Sequence, residues 1–168
     1  MNALFMVLVL AATDPATCPM HAQHMAAAAA HDHADVDHRG DMVMGFSHEK
    51  TKHAFLLLED GGAIEVRAND AADAESVAAI RTHLQQIAKD FTNGSYADPE
   101  AIHGRVPDGA ATMKSLGVAL TFKYEELERG GRVRITTSDA AGIQAIHDFM
   151  KFQIEEHHTG DPVNVARP

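Results

Sequence analysis

Two stretches of this chain carry one pattern. HAFLLLEDGGAIEV, starting at His53, aligns with FKYEELERGGRVRI, starting at Phe122. Gly61-Gly62 matches Gly130-Gly131, Ile64 matches Val133, Val66 matches Ile135 and Asp70 matches Asp139. Each half reads as strand, Gly-Gly turn, strand, because two-residue turns with positive φ favour glycine at both places. Ile64 and Val66 alternate with Glu65 and Arg67, which turns one face of the strand inward. Val118, Leu120, Phe122 and Tyr124 alternate in the same way with Thr121, Lys123 and Glu125. His53 shares the phase of Phe55 and Leu57, so it is expected on the inward face.

A helix is expected after each hairpin. The first should open near Asp70, whose carboxylate can accept the free N–H groups of the first turn. Val77, Ile80, Leu84, Ile87 and Phe91 then recur at helical spacing. The second should open near Ser138 or Asp139, with Ile143, Ile146, Met150 and Ile154 as its stripe and Phe149 and Phe152 widening it. Gly160 and Pro162 close it. One half cannot hide its own sheet face. The expected fold is therefore α+β: a tandem ββα repeat making a four-stranded antiparallel sheet, with two helices packed on one face. The link from about residue 92 to 116 is long, and short helical turns are expected at Asp98-Pro99-Glu100 and Pro107-Asp108.

Outside the repeat the chain changes character. Residues 1–12 read as a signal peptide, 13–43 as a flexible His/Met-rich tail, 44–160 as the ββα-ββα domain and 161–168 as a C-terminal tail. The apolar run from Ala3 to Ala12 suits a signal-peptide core and is too short to span a bilayer. The expected location is outside the cytoplasm, in the periplasm, or the cytoplasm if this segment is not a signal. A formal charge of −10 and a pI near 5.5 argue against nucleic acid as a partner. The lone cysteine excludes an internal disulfide framework. A homo-oligomer is compatible with the sequence.

The segment between Cys18 and His53 holds seven histidines, four methionines and the only cysteine. Imidazole, thioether and thiolate bind soft and borderline transition metals. Cys18, Met20, His21, His24, His31, His33 and His38 are the candidate ligands of the tail. His31-Asp32-His33 could seat one ion from an extended chain. Thiolate and thioether favour Cu(I); imidazole accepts Cu(II) or Zn(II). Copper is the first expectation and zinc the second.

In the body, His48, His53, His103 and Met113 are the candidate set, able to hold copper or to serve as axial haem ligands if they converge. His48 and His53 are five apart, whereas the zinc-protease helix needs its histidines four apart, so that reading is rejected. His83 and His147 fall at the margins of their helix stripes and read as rim residues. His157 and His158 suit the dipole at a helix C-terminus. No Walker loop or GxSxG elbow is present, and nothing pairs carboxylates for acid–base work.

Cys18-Pro19-Met20-His21 resembles the short Cys-Pro-Met-His element of heavy-metal-binding modules in bacterial metal-efflux proteins. That resemblance implies a metal ion as partner. From Met44-Gly-Phe-Ser-His-Glu-Lys-Thr, with Ile102-His-Gly-Arg-Val-Pro, the body is similar to a group of small bacterial proteins. That likeness brings no activity with it. The expectation is an exported metal-capturing or metal-buffering protein rather than an enzyme. The rival is an α+β domain binding haem or a small ligand, with the tail only a tether.

Overall fold

The computed structural model describes residues 35–165. The signal-peptide expectation for 1–12 lies outside those residues. So do Cys18, Met20, His21, His24, His31 and His33.

Four strands build one antiparallel sheet: β1 (Thr51–Leu58), β2 (Gly61–Ala68), β3 (Thr121–Leu127) and β4 (Gly130–Thr136), in the order β1-β2-β4-β3. Helix α1 covers residues 35–44. The others are α2 (Ala74–Thr92), α3 (Ala97–His103), α4 (Ala110–Leu116) and α5 (Ala140–Glu156). The class expected from sequence, α+β around a four-stranded antiparallel sheet, is the class observed.

The turns of both hairpins are not the glycine pairs. They are Glu59-Asp60 and Glu128-Arg129, and each Gly-Gly opens the following strand. The glycines serve the central β2–β4 contact instead. A Cβ on Gly61, at φ +141°, would sit 2.2 Å from the Ile135 carbonyl oxygen. One on Gly130 would sit 2.1 Å from the Val66 carbonyl oxygen. Ile64 pairs with Val133 at the middle of the sheet. Ala68 N–H donates to Arg129 O (2.8 Å) and Thr137 N–H to Asp60 O (3.0 Å), lacing each hairpin turn to the end of the other central strand.

The inward face carries His53, Phe55, Leu57, Ile64, Val66, Val133 and Ile135, in register across β1, β2 and β4. Both long helices cover this face. A Cβ on Gly62 would meet Ile146 and Met150 of α5, and one on Gly131 would meet Leu84 of α2. Asp73, not Asp70, caps α2: its carboxylate accepts from Ser76 N–H (3.0 Å) and Ser76 Oγ (2.8 Å). Asp70 instead closes the preceding turn on Ala72 N–H. Asp139 caps α5 through Gly142 N–H, as expected. Ile80, Leu84, Ile87 and Phe91 of α2 and Ile146, Phe149 and Met150 of α5 form the core. Each such side chain contributes roughly 1.5–3 kcal/mol on burial.

Two further expectations fail locally. Val118 does not begin a strand: Gly117–Ala119 is a 3-10 turn, β3 starts at Thr121, and Val118 is fully exposed. The body also begins earlier than residue 44. Val36 and Met44 are buried in the core, and Arg39 Nε donates to Ile102 O (2.6 Å). The apolar stripe of α1 is short and interrupted by Asp and His, so its periodicity was hidden. Among the described residues no helix is long and apolar enough to cross a membrane.

Candidate functional site

One end of the layer between sheet and helices holds a cavity of about 50 Å³. Four histidines line it, each delivered by a different element. His53 stands near the start of β1, on the inward face. His83 lies on α2 between Ile80 and Leu84. His103 is the last residue of α3, where Gly104 in the left-handed region stops the helix. His157 is the C-cap of α5, its N–H bonded to Gln153 O. Met44, Gln153, Asp98, Pro99 and the apolar side chains of the core complete the wall.

The rings touch. His157 lies parallel to His53, with centroids 5.6 Å apart, and meets His103 edge to face at 4.9 Å. His53 stacks on Phe46 and Phe55, and His83 packs edge-on against Phe46. Burial holds these imidazoles neutral. It pushes His53 down to about 4, with help from the neighbouring His83 and His48. It pushes His157 down to about 3, with His53, His103 and His158 adding to the fall. His83 and His103 are lowered by burial too, against the opposing pull of nearby carboxylates.

His103 Nε2 is 3.1 Å from Gln153 Oε1. Its Nδ1 lies 3.5 Å from a Glu156 carboxylate oxygen and has no hydrogen-bond partner. Gln153 Nε2 has none either, although Gln153 is only 4% exposed. Glu156 is held from outside by Arg105, whose guanidinium also lies 4.3 Å above the Phe152 ring. A second, larger hollow of about 260 Å³ adjoins the first; Met44, His53 and His157 line both.

Of the body candidates, the fold brings His53 and His103 together. His48 lies apart, in the 3-10 turn His48–Lys50, bonded to Asp41 (3.0 Å) and lining the outer hollow. Met113 is 1% exposed within the core and lies outside the cavity wall. His38 is exposed on α1. His147, read as a rim residue, bonds Leu58 O (2.9 Å). His83 and His157 join the site, against their reading as rim and dipole residues. The available signal was spacing: Met150, Gln153 and His157 extend the inward stripe of α5 by one more turn. Among the described residues no three His, Cys, Asp or Glu side chains stand arranged around an ion. The rings are stacked on one another rather than pointed at a common centre.

No protein-family model matches the chain, and neither curated proteins nor solved structures provide a match.

Proposed function

We propose that this chain binds a transition-metal ion, copper before zinc, and that it captures or buffers ions outside the cytoplasm. In this reading Cys18, Met20, His21, His24, His31, His33 and His38 collect ions, and the histidine-lined cavity retains one. The observation that carries it is that His53, His83, His103 and His157 line one cavity, His103 buried and the other three half-buried. Neutral imidazoles carry the lone pairs that borderline metals take, and the Met44 thioether adds a soft donor. Taking an ion would require the stacked rings to turn, at about 0.5–1.5 kcal/mol for each torsion held off its rotamer besides the ring packing lost.

Cavity size favours an ion over the rival ligands. About 50 Å³ suits an ion and its water, whereas sites for organic ligands run to roughly 300 Å³ and more. Export rests on the apolar run before residue 13. The finer architecture is proposed as a tandem ββα repeat. Its support is the pairing of matched residues Ile64 and Val133 and the reciprocal bonds at Asp60 and Arg129.

The test is titration of purified, untagged protein with Cu(I) and Zn(II). Micromolar affinity or better is expected (about −8 kcal/mol). Deleting residues 18–38 should remove most of the capacity, and His53→Ala with His157→Ala should remove one further ion. Full capacity after the deletion refutes the role of the N-terminal donors. Dialysed protein indifferent to both metals refutes the function.

A further inference from the structure

We propose a second site on the outer side of the sheet: a basic hollow that binds a small anion bearing two or more negative charges, carried by carboxylate or phosphate groups. It stands apart from the histidine-lined cavity and does not depend on the metal reading. The hollow, of about 370 Å³, lies where one end of the β1–β2 pair meets the β3–β4 turn, and Lys52, Arg67 and Arg129 line it. Sites for small organic ligands run from roughly 300 to 1,000 Å³. The chain as a whole carries a formal charge of −10, so three cations in one hollow run against its balance. Among the described residues of the wall, the one carboxylate is that of Glu65.

Without a ligand the arrangement works against the fold. Lys52 and Arg67 stand directly opposite each other across β1 and β2, which sets two like charges side by side on one face. Such a pair is destabilising. Glu65 has nothing left to offer it: Oε1 accepts from Arg132 and Oε2 from Arg67. Among the described residues neither Lys52 nor Arg129 has a carboxylate partner. Backbone contacts position Arg129 instead. Its Nη1 donates to Asn69 O (3.0 Å), and its own carbonyl accepts from Ala68 N–H (2.8 Å). Arg67 reaches Glu65 through one terminal nitrogen, which leaves it further donors. The residues facing Arg67 and Glu65 are small: Gly130 on β4 and Ala54 on β1. Local placements that oppose stability are expected at functional positions. Here the missing element is negative charge. Arginine offers a planar fork to carboxylate or phosphate oxygens, and lysine a point charge. A small anion fits better than a long polyanion, which would run on over the rest of an acidic chain. At physiological salt, exposed charges beyond about 8 Å are largely screened from the hollow.

The experiment uses the full chain, dialysed free of metal and of chelator because both probes bind metal ions. Pyrophosphate and citrate are titrated by calorimetry at constant ionic strength. Saturable binding of at least one, in the micromolar to millimolar range, is expected. Pyrophosphate alone identifies a phosphate ligand, and citrate alone a carboxylate one. Lys52→Glu sets a carboxylate opposite Arg67. It should weaken the bound probe by roughly tenfold or more, while the urea midpoint holds or rises. Arg129→Gln should weaken the probe too, with circular dichroism unchanged. Lys123→Gln removes a cation paired with Glu125 outside the hollow and should leave the affinity as it was. Saturation by neither probe overturns the site. Full affinity in Lys52→Glu and Arg129→Gln overturns its assignment to this hollow. An equal loss in Lys123→Gln reduces the binding to diffuse charge and overturns it as well. A lower urea midpoint in Lys52→Glu contradicts the opposed cations on which the proposal is built. None of these outcomes bears on the copper and zinc titrations.

Discussion

The ring of His157 lies flat against that of His53, 5.6 Å between centroids and 3° from parallel. This contact joins the last turn of α5 to the edge strand of the sheet. Two imidazoles can stack so closely in a buried place only while uncharged. The same contact is therefore a packing element and a reservoir of neutral lone pairs.

Acid should weaken the metal-free fold for this reason. In the unfolded chain both imidazoles titrate near the ordinary 6.5; in the fold they lie at about 4 and about 3. A depressed folded value means the stabilising contribution is complete above 6.5 and drains away as the pH falls toward 4 and 3. At about 1.4 kcal/mol per pH unit per group, the step from about 6.5 to 5 removes roughly 2 kcal/mol for each. Urea midpoints of chelator-treated protein should fall across that window. The slope should flatten in His53→Gln with His157→Gln. A midpoint that ignores pH contradicts the buried neutral pair.

The two glycines that open β2 should differ in their tolerance of alanine. At Gly61 the added Cβ strikes the Ile135 carbonyl in a backbone with φ +141°. At Gly62 it strikes side-chain atoms of Ile146 and Met150 at 2.9 and 3.0 Å, beside the Leu56 carbonyl. Side chains shift more readily than a paired strand. Gly62→Ala should cost about 1–3 kcal/mol, and Gly61→Ala more than that. Denaturation midpoints of the two variants check the order, and the reverse ranking would contradict the close β2–β4 approach.

Glu65 should prove a structural carboxylate of the outer sheet face. It is 7% exposed, with Arg132 Nε at 2.7 Å and an Arg67 terminal nitrogen at 2.8 Å. Removing one partner of a buried pair leaves uncompensated charge, but both arginines reach solvent, which softens the loss. Glu65→Ala should cost about 2 kcal/mol in chemical denaturation and leave metal stoichiometry unchanged. A stability equal to that of the parent would show that the pair contributes nothing.

Much of this architecture was legible because period and polarity agree. The alternation through Ile64 and Val66 and the stripes of α2 and α5 announce strands and helices without tertiary help. The glycine pairs misled, since turn chemistry and close strand packing select the same residue. Asp70 and Asp73 are both plausible caps from sequence; only the chain path chooses between them. The site was legible by halves. His53 followed from strand phase, but its meeting with His103, His83 and His157 depends on how α2, α3 and α5 pack. No local pattern encodes such a convergence.

The contact between Asp41 and His48 should set the charge of the outer hollow, in the opposite sense to the inner histidines. Asp41 Oδ1 accepts from His48 N–H (2.7 Å) and lies 3.0 Å from His48 Nδ1. Partial burial pulls this imidazole down. The hydrogen bond and charge of Asp41, with Asp37 and Glu49, outweigh it and leave the value raised. A raised folded value contributes stability that is complete below 6.5 and is lost as the pH climbs through the folded value. The histidine is largely solvent-facing, so the stability effect should be slight and the titration itself is the better measure. In Asp41→Asn the His48 ring proton resonances should titrate at lower pH than in the parent, while His53 and His157 stay silent until acid unfolds the chain. An unmoved His48 titration would mean that Asp41 does not hold the imidazole in solution.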